Sequence, residues 1–212
     1  IAGVSGNGQS ELIRCITGLL HIDEGKIELL GKDISQKTVH EIRKYGVACI
    51  PEDRYYSGCA KAANLIETSL MAHQYDSKLS KNGLLNNQAI QEFAKNLIKE
   101  HNVKAESLYQ KAGQLSGGNI QKLIVAREIE QNSPLLIAAE PTRGVDIGAM
   151  EYIHNHLVTK RNNGEAILLI SSELSEILKL SDRIYVIYEG KIVGEFTRND
   201  VSEQKLGILM MG

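Results

Sequence analysis

Short aliphatic runs alternate with amphipathic segments along this chain, and each kind of pattern predicts its own secondary structure. Continuous apolar runs at residues 47–50, 135–139 and 166–170 are typical of strands buried on both faces of a sheet. Helical spacing of apolar residues predicts helices at 10–20, 35–45, 62–75, 87–101, 119–130, 146–161 and 173–180. Strands that alternate with helices in this way favour an α/β fold with a mostly parallel sheet.

Further strand signals lie towards the two ends of the chain. Residues 26–30 predict one short strand, and residues 184–188 and 191–196 predict a strand on each side of a turn at Glu189-Gly190. Ser35 is the predicted N-cap of the helix at 35–45.

The strand pattern disappears between about residues 54 and 114. Two helical segments remain there, joined by a polar stretch at 77–87. We therefore expect a helical subdomain of about residues 54–114, inserted in the α/β core. Ile1-Ala2-Gly3 resembles the end of a strand that enters a loop, so we expect residues 1–212 to be a fragment of a longer protein.

Composition narrows the possible functions. With 212 residues, 42% of them hydrophobic and 24% charged, the chain has the composition of a globular domain with a sizeable core. Its net charge of −2 gives no basic surface for nucleic acid. No apolar run approaches the roughly 20 residues of a membrane span, so we expect any link to a membrane to run through a partner protein.

Two segments carry the clearest candidate chemistry. Residues 115–119, Leu-Ser-Gly-Gly-Asn, form a polar glycine-rich loop that opens a predicted helix, and such a helix start is suited to phosphate oxygens. Glu140 lies 24 positions after Ser116 and closes the apolar run at 135–139. The C-terminal ends of parallel strands are where open α/β sheets bind ligands. For Glu140 the simpler alternative is a polar cap on a strand end.

The loop at residues 3–10 has the glycine spacing of a phosphate-binding P-loop. Gly3, Gly6 and Gly8 keep the backbone path open, and Ser10 retains the hydroxyl normally offered to magnesium. Gln9, however, stands where the phosphate-binding lysine belongs. At an effective dielectric near 20, a pair of unit charges about 4 Å apart is worth roughly 4 kcal/mol, which bounds the missing attraction. The alternative is a glycine turn that binds nothing.

Four motifs together resemble the ATP-binding-cassette (ABC) ATPases. They are Gly-Asn-Gly-Gln-Ser-Glu-Leu at 6–12, Pro-Glu-Asp-Arg at 51–54, Leu-Ser-Gly-Gly-Asn at 115–119 and Glu-Pro-Thr-Arg-Gly-Val-Asp at 140–146. The combination looks like the second, C-terminal cassette of the tandem ATPase subunits of bacterial simple-sugar and nucleoside importers. The resemblance covers essentially the whole chain, and residues 151–154 and 206–212 favour the nucleoside branch. It implies a P-loop NTPase fold whose N-terminal antiparallel strands are incomplete here.

The resemblance also implies roles for individual residues. The nucleotide-binding positions are Gly3, Ser5, Gly6, Asn7, Gly8, Gln9, Ser10 and Glu11, with Ser10 also a weak magnesium ligand. The signature loop, expected to act in trans on nucleotide held by another cassette, is Leu115, Ser116, Gly117, Gly118 and Asn119. The catalytic positions are Glu140, Glu52 in place of the Q-loop glutamine, and Ser172 in place of the switch histidine. Asp146 is the D-loop aspartate.

This chain departs from the family pattern at four of these places. Gln9 replaces lysine, Ala139 replaces the aspartate that helps to hold magnesium, and Glu52 and Ser172 replace glutamine and histidine. Glu140 alone remains among the residues that activate water. We therefore expect weak binding of ATP and Mg²⁺ and a catalytically impaired site, beside a signature loop that keeps its Ser116-Gly117-Gly118 core.

The function that the resemblance implies is a nucleotide-binding domain of an ABC importer for nucleosides or simple sugars. The expected partners are a companion cassette on the same polypeptide, transmembrane permease subunits and an extracellular solute-binding lipoprotein, with no nucleic acid. The expected place is the cytoplasmic face of the plasma membrane, reached through the permease. A soluble ABC protein without a transport role, and a regulatory nucleotide sensor without turnover, are the alternatives.

Overall fold

The computed structural model describes residues 1–212, which fold into two units that interleave along the chain. The first unit comprises Ile1–Cys49, Ser133–Glu140 and Arg161–Gly212, and the second comprises Ile50–Asn132 and Pro141–Lys160. The helices are α1 (Gln9–Ile16), α2 (Val39–Lys44), α3 (Leu65–Leu70), α4 (Asn87–Glu100), α5 (Gly117–Ile129), α6 (Ile147–Asn162), α7 (Leu174–Leu180) and α8 (Glu203–Met211). The strands are β1 (Glu28–Leu29), β2 (Lys32–Asp33), β3 (Val47–Ile50), β4 (Ser80–Lys81), β5 (Leu84–Leu85), β6 (Leu135–Ala139), β7 (Ala166–Ile170), β8 (Arg183–Tyr188) and β9 (Lys191–Thr197).

The three aliphatic runs form one sheet in the order β3–β6–β7, as predicted. Strands β6 and β7 are parallel, with Leu136 opposite Ile167 and Ala139 opposite Ile170. Continuous aliphatic sequence produces this arrangement because both faces of the central strand are covered. Ala2 makes isolated parallel bridges to Ser171 and Val186, so the start of the chain enters the glycine loop from a position beside β7.

An apolar cluster fills the first unit around this sheet. It contains Ile13, Ile34, Ile42, Val47, Ile137, Ala139 and Ile170, all buried. Helix α1 contributes Ile13 and helix α2 contributes Ile42, so both helices lay an apolar face on the sheet. This packing holds α1, which follows the glycine loop, against the strands β3, β6 and β7.

The β8–β9 hairpin turns at Glu189 and Gly190, where the sequence predicts a turn. Both residues have positive φ, 44° and 74°, as a tight two-residue hairpin requires. The register shifts between Val186 and Ile187.

Helices dominate the second unit. A buried ion pair lies inside it, since Arg127 Nη2 and Glu128 Oε1 are 3.0 Å apart and both side chains are almost fully buried. Arg127 also donates to the carbonyls of Gly58 (3.0 Å) and Thr68 (3.2 Å). A buried ion pair is tolerated only when such additional hydrogen bonds satisfy it.

Two expectations about local structure are wrong, and one helix was missed. Ser35 does not cap α2; Thr38 does, in a capping box with Glu41, while the Ser35 hydroxyl accepts from the Ile27 N–H at 2.8 Å. The polar stretch at 77–87 contains a small hairpin, β4–β5, rather than a bare connection. Helix α8 is an element that the sequence pattern did not predict.

Helix α1 is also shorter than predicted, ending at Ile16 rather than near residue 20. Gly18 has a φ of 78°, and the N–H groups of Leu19 and Leu20 both return to the Arg14 carbonyl. A glycine in this conformation commonly ends a helix. Among all eight helices, none is long and apolar enough to span a bilayer.

Candidate functional site

The glycine loop at residues 3–10 keeps the backbone path of a P-loop. Gly6 and Gly8 have φ values of 94° and 103°, a conformation that glycine adopts without strain. Gly8 is the N-cap of α1, and no side chain caps the helix there. Ser5 and Glu11 are exposed, and Ser10 is half-buried in the first turn of α1.

The Gln9 side chain folds back into this loop and is only 7% exposed. Its Nε2 donates to the Val4 carbonyl at 2.9 Å, and its Oε1 accepts from the Asn7 main-chain N–H at 3.0 Å. A Cβ on Gly3 would lie 2.4 Å from Gln9 Nε2, so the close approach of this amide requires glycine at position 3. The amide of Gln9 thus bonds inside the loop, and one main-chain donor of the loop is already used.

Asn7 is held from a second side by the β8–β9 turn. The Glu189 N–H donates to Asn7 Oδ1 at 3.0 Å, and the Gly190 N–H donates to the Asn7 carbonyl at 2.9 Å. Asn7 Nδ2 donates to the Val4 carbonyl at 3.1 Å. The loop is therefore closed by groups of the protein itself.

The end of β6 brings Glu140 to Ser172. The Ser172 N–H donates to Glu140 Oε1 at 2.7 Å, and the Ser172 hydroxyl donates to Oε2 at 3.1 Å. Glu140 is 9% exposed, and its φ of 44° is uncommon for a residue with a side chain. Ala139, one residue earlier, is 1% exposed and belongs to the apolar cluster.

These residues fit a magnesium ion poorly, since of the ligands that the family pattern supplies only the Ser10 hydroxyl remains. Magnesium prefers oxygen ligands in octahedral geometry and is held by carboxylates together with phosphates. The position of the expected aspartate is the buried methyl group of Ala139, and both oxygens of Glu140 already accept hydrogen bonds from Ser172. A nucleotide phosphate would also have to displace the Gln9 amide from the Asn7 N–H.

The signature loop lies in the second unit. Ser116 is exposed and is the N-cap of α5; its Oγ accepts from the Asn119 main-chain N–H at 3.4 Å and from Asn119 Nδ2 at 2.8 Å. Leu115 is buried and anchors the loop. The first bond of the helix runs from the Ile120 N–H to the Ser116 carbonyl, so the helix itself provides no acceptor for the N–H groups of Gly117 and Gly118. The loop can therefore present two donors and the positive end of the helix dipole to an anion.

Asp146 lies directly beside Gly118. A Cβ on Gly118 would be 2.5 Å from Asp146 Oδ2, which places the carboxylate against the glycine. The other oxygen, Oδ1, accepts from the Ala149 N–H at 2.9 Å and so helps to begin α6. The structure thus brings the D-loop position and the signature loop together.

The Pro51-Glu52-Asp53-Arg54 segment belongs to the same unit. Glu52 Oε1 lies 3.9 Å from Arg143 Nη1. Asp53 caps a short π-helical turn, Arg54–Gly58, by accepting from the N–H groups of Tyr55 (2.8 Å) and Tyr56 (2.9 Å). The hydrogen bonds from Tyr56 and Tyr55 lower the pKa of Asp53 below its ordinary value.

Sequence reasoning missed the part that Arg54 plays in the site. Its guanidinium donates to the carbonyls of Gly117, Arg143 and Gly144, which belong to the signature loop and to the segment that follows Glu140. The only signal in the sequence is an arginine directly after a capping aspartate, and that pattern does not identify its acceptors.

Comparison with known proteins agrees with these motifs. The family profile described as "ABC transporter" matches residues 1–143. The chain is 44% identical to the nucleoside import ATP-binding protein NupA of Lactococcus lactis subsp. cremoris and 46% identical to the guanosine import ATP-binding protein NupO of Bacillus subtilis, in both cases over 212 residues that make up the whole chain. It is 37% identical, again over its whole length, to the ribose import ATP-binding protein RbsA of Bacillus licheniformis.

The chain spans only 42–43% of the length of these curated relatives. Among solved structures, a nucleotide-free ATP-binding cassette from an ABC transporter superposes with a TM-score of 0.79 at 26% identity, covering all of this chain and 86% of that one. An ATP-binding cassette in its ADP conformation gives a TM-score of 0.74 at 27% identity, with the same coverage. The architecture described above is therefore the ABC ATPase form of the P-loop NTPase fold.

Proposed function

The chain belongs to the ABC transporter family, and from that membership we propose that it is a nucleotide-binding domain of an importer for nucleosides or simple sugars. The relatives named for nucleoside and guanosine import are the more similar of those compared, at 44% and 46% identity against 37% for the ribose relative. This difference favours a nucleoside as the solute.

We also propose that this domain is the degenerate cassette of a tandem pair, with residues 54–114 as its helical subdomain. The observation that carries the proposal is the Gln9 amide, which bonds to Val4 and Asn7 inside the loop that should receive phosphate. Ala139 stands in place of the aspartate that would hold the metal. Ser172, in place of the switch histidine, donates hydrogen bonds to both oxygens of the remaining carboxylate, Glu140. Binding of ATP and Mg²⁺ at this site is accordingly weak, and hydrolysis there is negligible.

The signature loop is the part of the domain that contributes to turnover. Ser116, Gly117 and Gly118 face nucleotide held by the P-loop of a companion cassette. Two main-chain donors and a helix start stabilise negative charge that develops on a phosphoryl group. In this division of labour one cassette keeps the catalytic residues, and this one completes the companion's site.

The same assignment gives the remaining positions their roles. Glu52 is the Q-loop position that couples the cassette to the permease, and Asp146 is the D-loop aspartate. We expect the companion cassette on the same polypeptide, and the relatives, which are more than twice as long as this chain, would have room for a second domain of similar size. Transmembrane permease subunits hold the assembly at the cytoplasmic face of the plasma membrane, and an extracellular lipoprotein delivers the solute.

Solute uptake by the complete transporter tests the proposal. Loss of one transition-state donor typically costs about 2.7–4 kcal/mol, a factor of roughly a hundred or more in rate. Ser116→Ala, which removes the hydroxyl donor of the loop, and Gly117→Leu, whose side chain would cover its main-chain donors, should therefore cripple uptake and ATP turnover. Glu140→Gln, the matched change at this cassette's own site, should have little effect. Normal uptake in the signature variants together with loss of uptake in Glu140→Gln would show that the division of labour is reversed.

A further inference from the structure

We propose that Arg54 is the positioning residue of the signature loop, an inference that rests on the proposed action of that loop in trans. Arg54 Nη1 donates to the Gly117 carbonyl at 3.3 Å. Arg54 Nη2 donates to the carbonyls of Arg143 at 2.8 Å and Gly144 at 3.1 Å. One side chain thus joins three segments that are far apart in sequence. They are residues 51–54 (the Glu52 loop), the start of α5, and residues 143–144 after Glu140.

Glycine at position 144 makes this close approach possible. A Cβ there would lie 2.9 Å from Arg54 Nη2, and the φ of Gly144 is 62°. A residue with a side chain would therefore crowd the guanidinium and adopt a strained backbone conformation. The carbonyls of residues 143 and 144 both remain directed at a single nitrogen.

The backbone that carries Arg54 is itself fixed. Asp53 Oδ1 accepts from two successive N–H groups, those of Tyr55 and Tyr56. The far end of the same turn is bound to α5, because Arg127 donates from that helix to the Gly58 carbonyl at 3.0 Å. The turn Arg54–Gly58 is therefore attached near both ends of α5, at Gly117 through Arg54 and at Arg127 through Gly58.

Arginine is suited to this task by its shape. A planar guanidinium offers five N–H donors in a fixed fork, whereas the ammonium group of lysine is a compact point charge on a flexible stem. Lysine at position 54 could reach one carbonyl but not three in fixed geometry. Glu52 lies two residues before Arg54 and is paired with Arg143, so a shift of the Glu52 loop would move Gly117 with it. Arg54 thereby makes the position of the signature donors depend on the loop proposed to meet the permease.

The complete transporter provides the test, with Arg54→Ala and Arg54→Lys as the variants. Lys61→Ala is the matched control. Both cations lie over the Tyr55 ring, Arg54 at 5.8 Å and Lys61 at 4.9 Å from its centroid, and Lys61 is exposed. We expect ATP turnover at saturating ATP to fall about tenfold or more in Arg54→Ala, since misplaced donors lose part of the hundredfold effect of a removed one. Arg54→Lys should lie between Arg54→Ala and the unmodified protein, and Lys61→Ala should match the unmodified protein. Arg54→Ala loses three hydrogen bonds, so its thermal midpoint should fall, and turnover is measured at a temperature at which all four proteins are folded.

A double-mutant cycle with Ser116→Ala separates positioning from general stability. If Arg54 acts through the signature loop, the loss in the double variant is clearly smaller than the product of the two single losses. Multiplicative losses would overturn the inference, as would normal turnover in Arg54→Ala beside a crippled Ser116→Ala, and in both cases the proposed function survives. Normal turnover in Ser116→Ala would overturn both. Should Arg54→Ala fail to fold, the cycle with Arg54→Lys decides by the same criterion.

Discussion

Ser172 holds both carboxylate oxygens of Glu140, its N–H donating to Oε1 at 2.7 Å and its hydroxyl to Oε2 at 3.1 Å. The residue in the place of the switch histidine thus satisfies the residue in the place of the general base. Each oxygen keeps a second lone pair, but a carboxylate in that role also needs a positioned water and a phosphate neutralised by metal or lysine. Glu140 is retained in the sequence, and in the structure it joins the residue after β6 to the segment that follows β7.

The first prediction concerns restoration of single residues. Gln9→Lys, Ala139→Asp and Ser172→His should each leave ATP hydrolysis by this domain far below roughly 1 per second, the lower end of typical enzyme turnover. Each change supplies one missing group while the other two remain absent. The measurement is multi-turnover phosphate release. A rate of about 1 per second or faster in the unmodified domain, abolished by Glu140→Gln, would contradict the assignment of an impaired site.

The second prediction concerns the contribution of Gln9 to folding. Gln9→Ala removes the side-chain hydrogen bonds to the Asn7 N–H and the Val4 carbonyl. Those two groups still bond to each other at 3.3 Å, so the expected loss is that of an ordinary hydrogen bond, about 0.5–1.5 kcal/mol. The free energy of unfolding in urea, without nucleotide, should fall by that amount. Gln9→Lys should also destabilise, because lysine cannot accept from Asn7. Glu11→Ala, an exposed neighbour on the same helix, is the control and should change stability by no more than about 0.5 kcal/mol.

The third prediction compares two adjacent glycines. A Cβ on Gly118 would lie 2.5 Å from Asp146 Oδ2, whereas the nearest atom to a Cβ on Gly117 is 3.5 Å away. Gly118→Ala should therefore destabilise the domain by about 1–3 kcal/mol through overpacking. Gly117→Ala should be neutral or slightly stabilising for folding, since alanine is the better helix former. Equal thermal midpoints for the two variants would show that Asp146 is free to move away.

The fourth prediction concerns pH. Burial lowers the pKa of His73, which bonds to the Arg127 carbonyl, and burial together with the charge of His101 lowers the pKa of His156. The unfolded chain then binds more protons than the folded chain below the ordinary histidine value of 6.5, so stability is lost as the pH falls through that value. Urea unfolding at pH 7.5 and 5.5 should show the loss, and His73→Gln should reduce it.

The central sheet was predictable because uninterrupted aliphatic runs such as Leu135–Ala139 have few structural alternatives. The cap of α2 was not, because Ser35 and Thr38 are both good caps, and only the bond of Ser35 to the Ile27 N–H decides between them. Helix α8 escaped prediction although Leu206 and Met210 lie one helical turn apart and are buried.

The candidate site was likewise predictable in its local segments and unpredictable in its long-range contacts. Motif spacing located the glycine loop, Glu140 and the signature loop, because each is a contiguous segment. It did not predict that Ser172 bonds to Glu140 across 32 positions, or that Arg54 reaches Gly117 across 63. Partners so distant in sequence are set by the tertiary packing within each unit, which a local pattern does not encode.

Hydrogen bonds from Asn7, Gln9 and the β8–β9 turn hold the P-loop in place, and they make the stability of the loop independent of nucleotide affinity. The order of the loop comes from bonds within the polypeptide, so folding does not depend on a ligand that would add binding free energy to the native state. Changes that alter nucleotide affinity but leave these bonds in place therefore carry no cost in stability when nucleotide is absent.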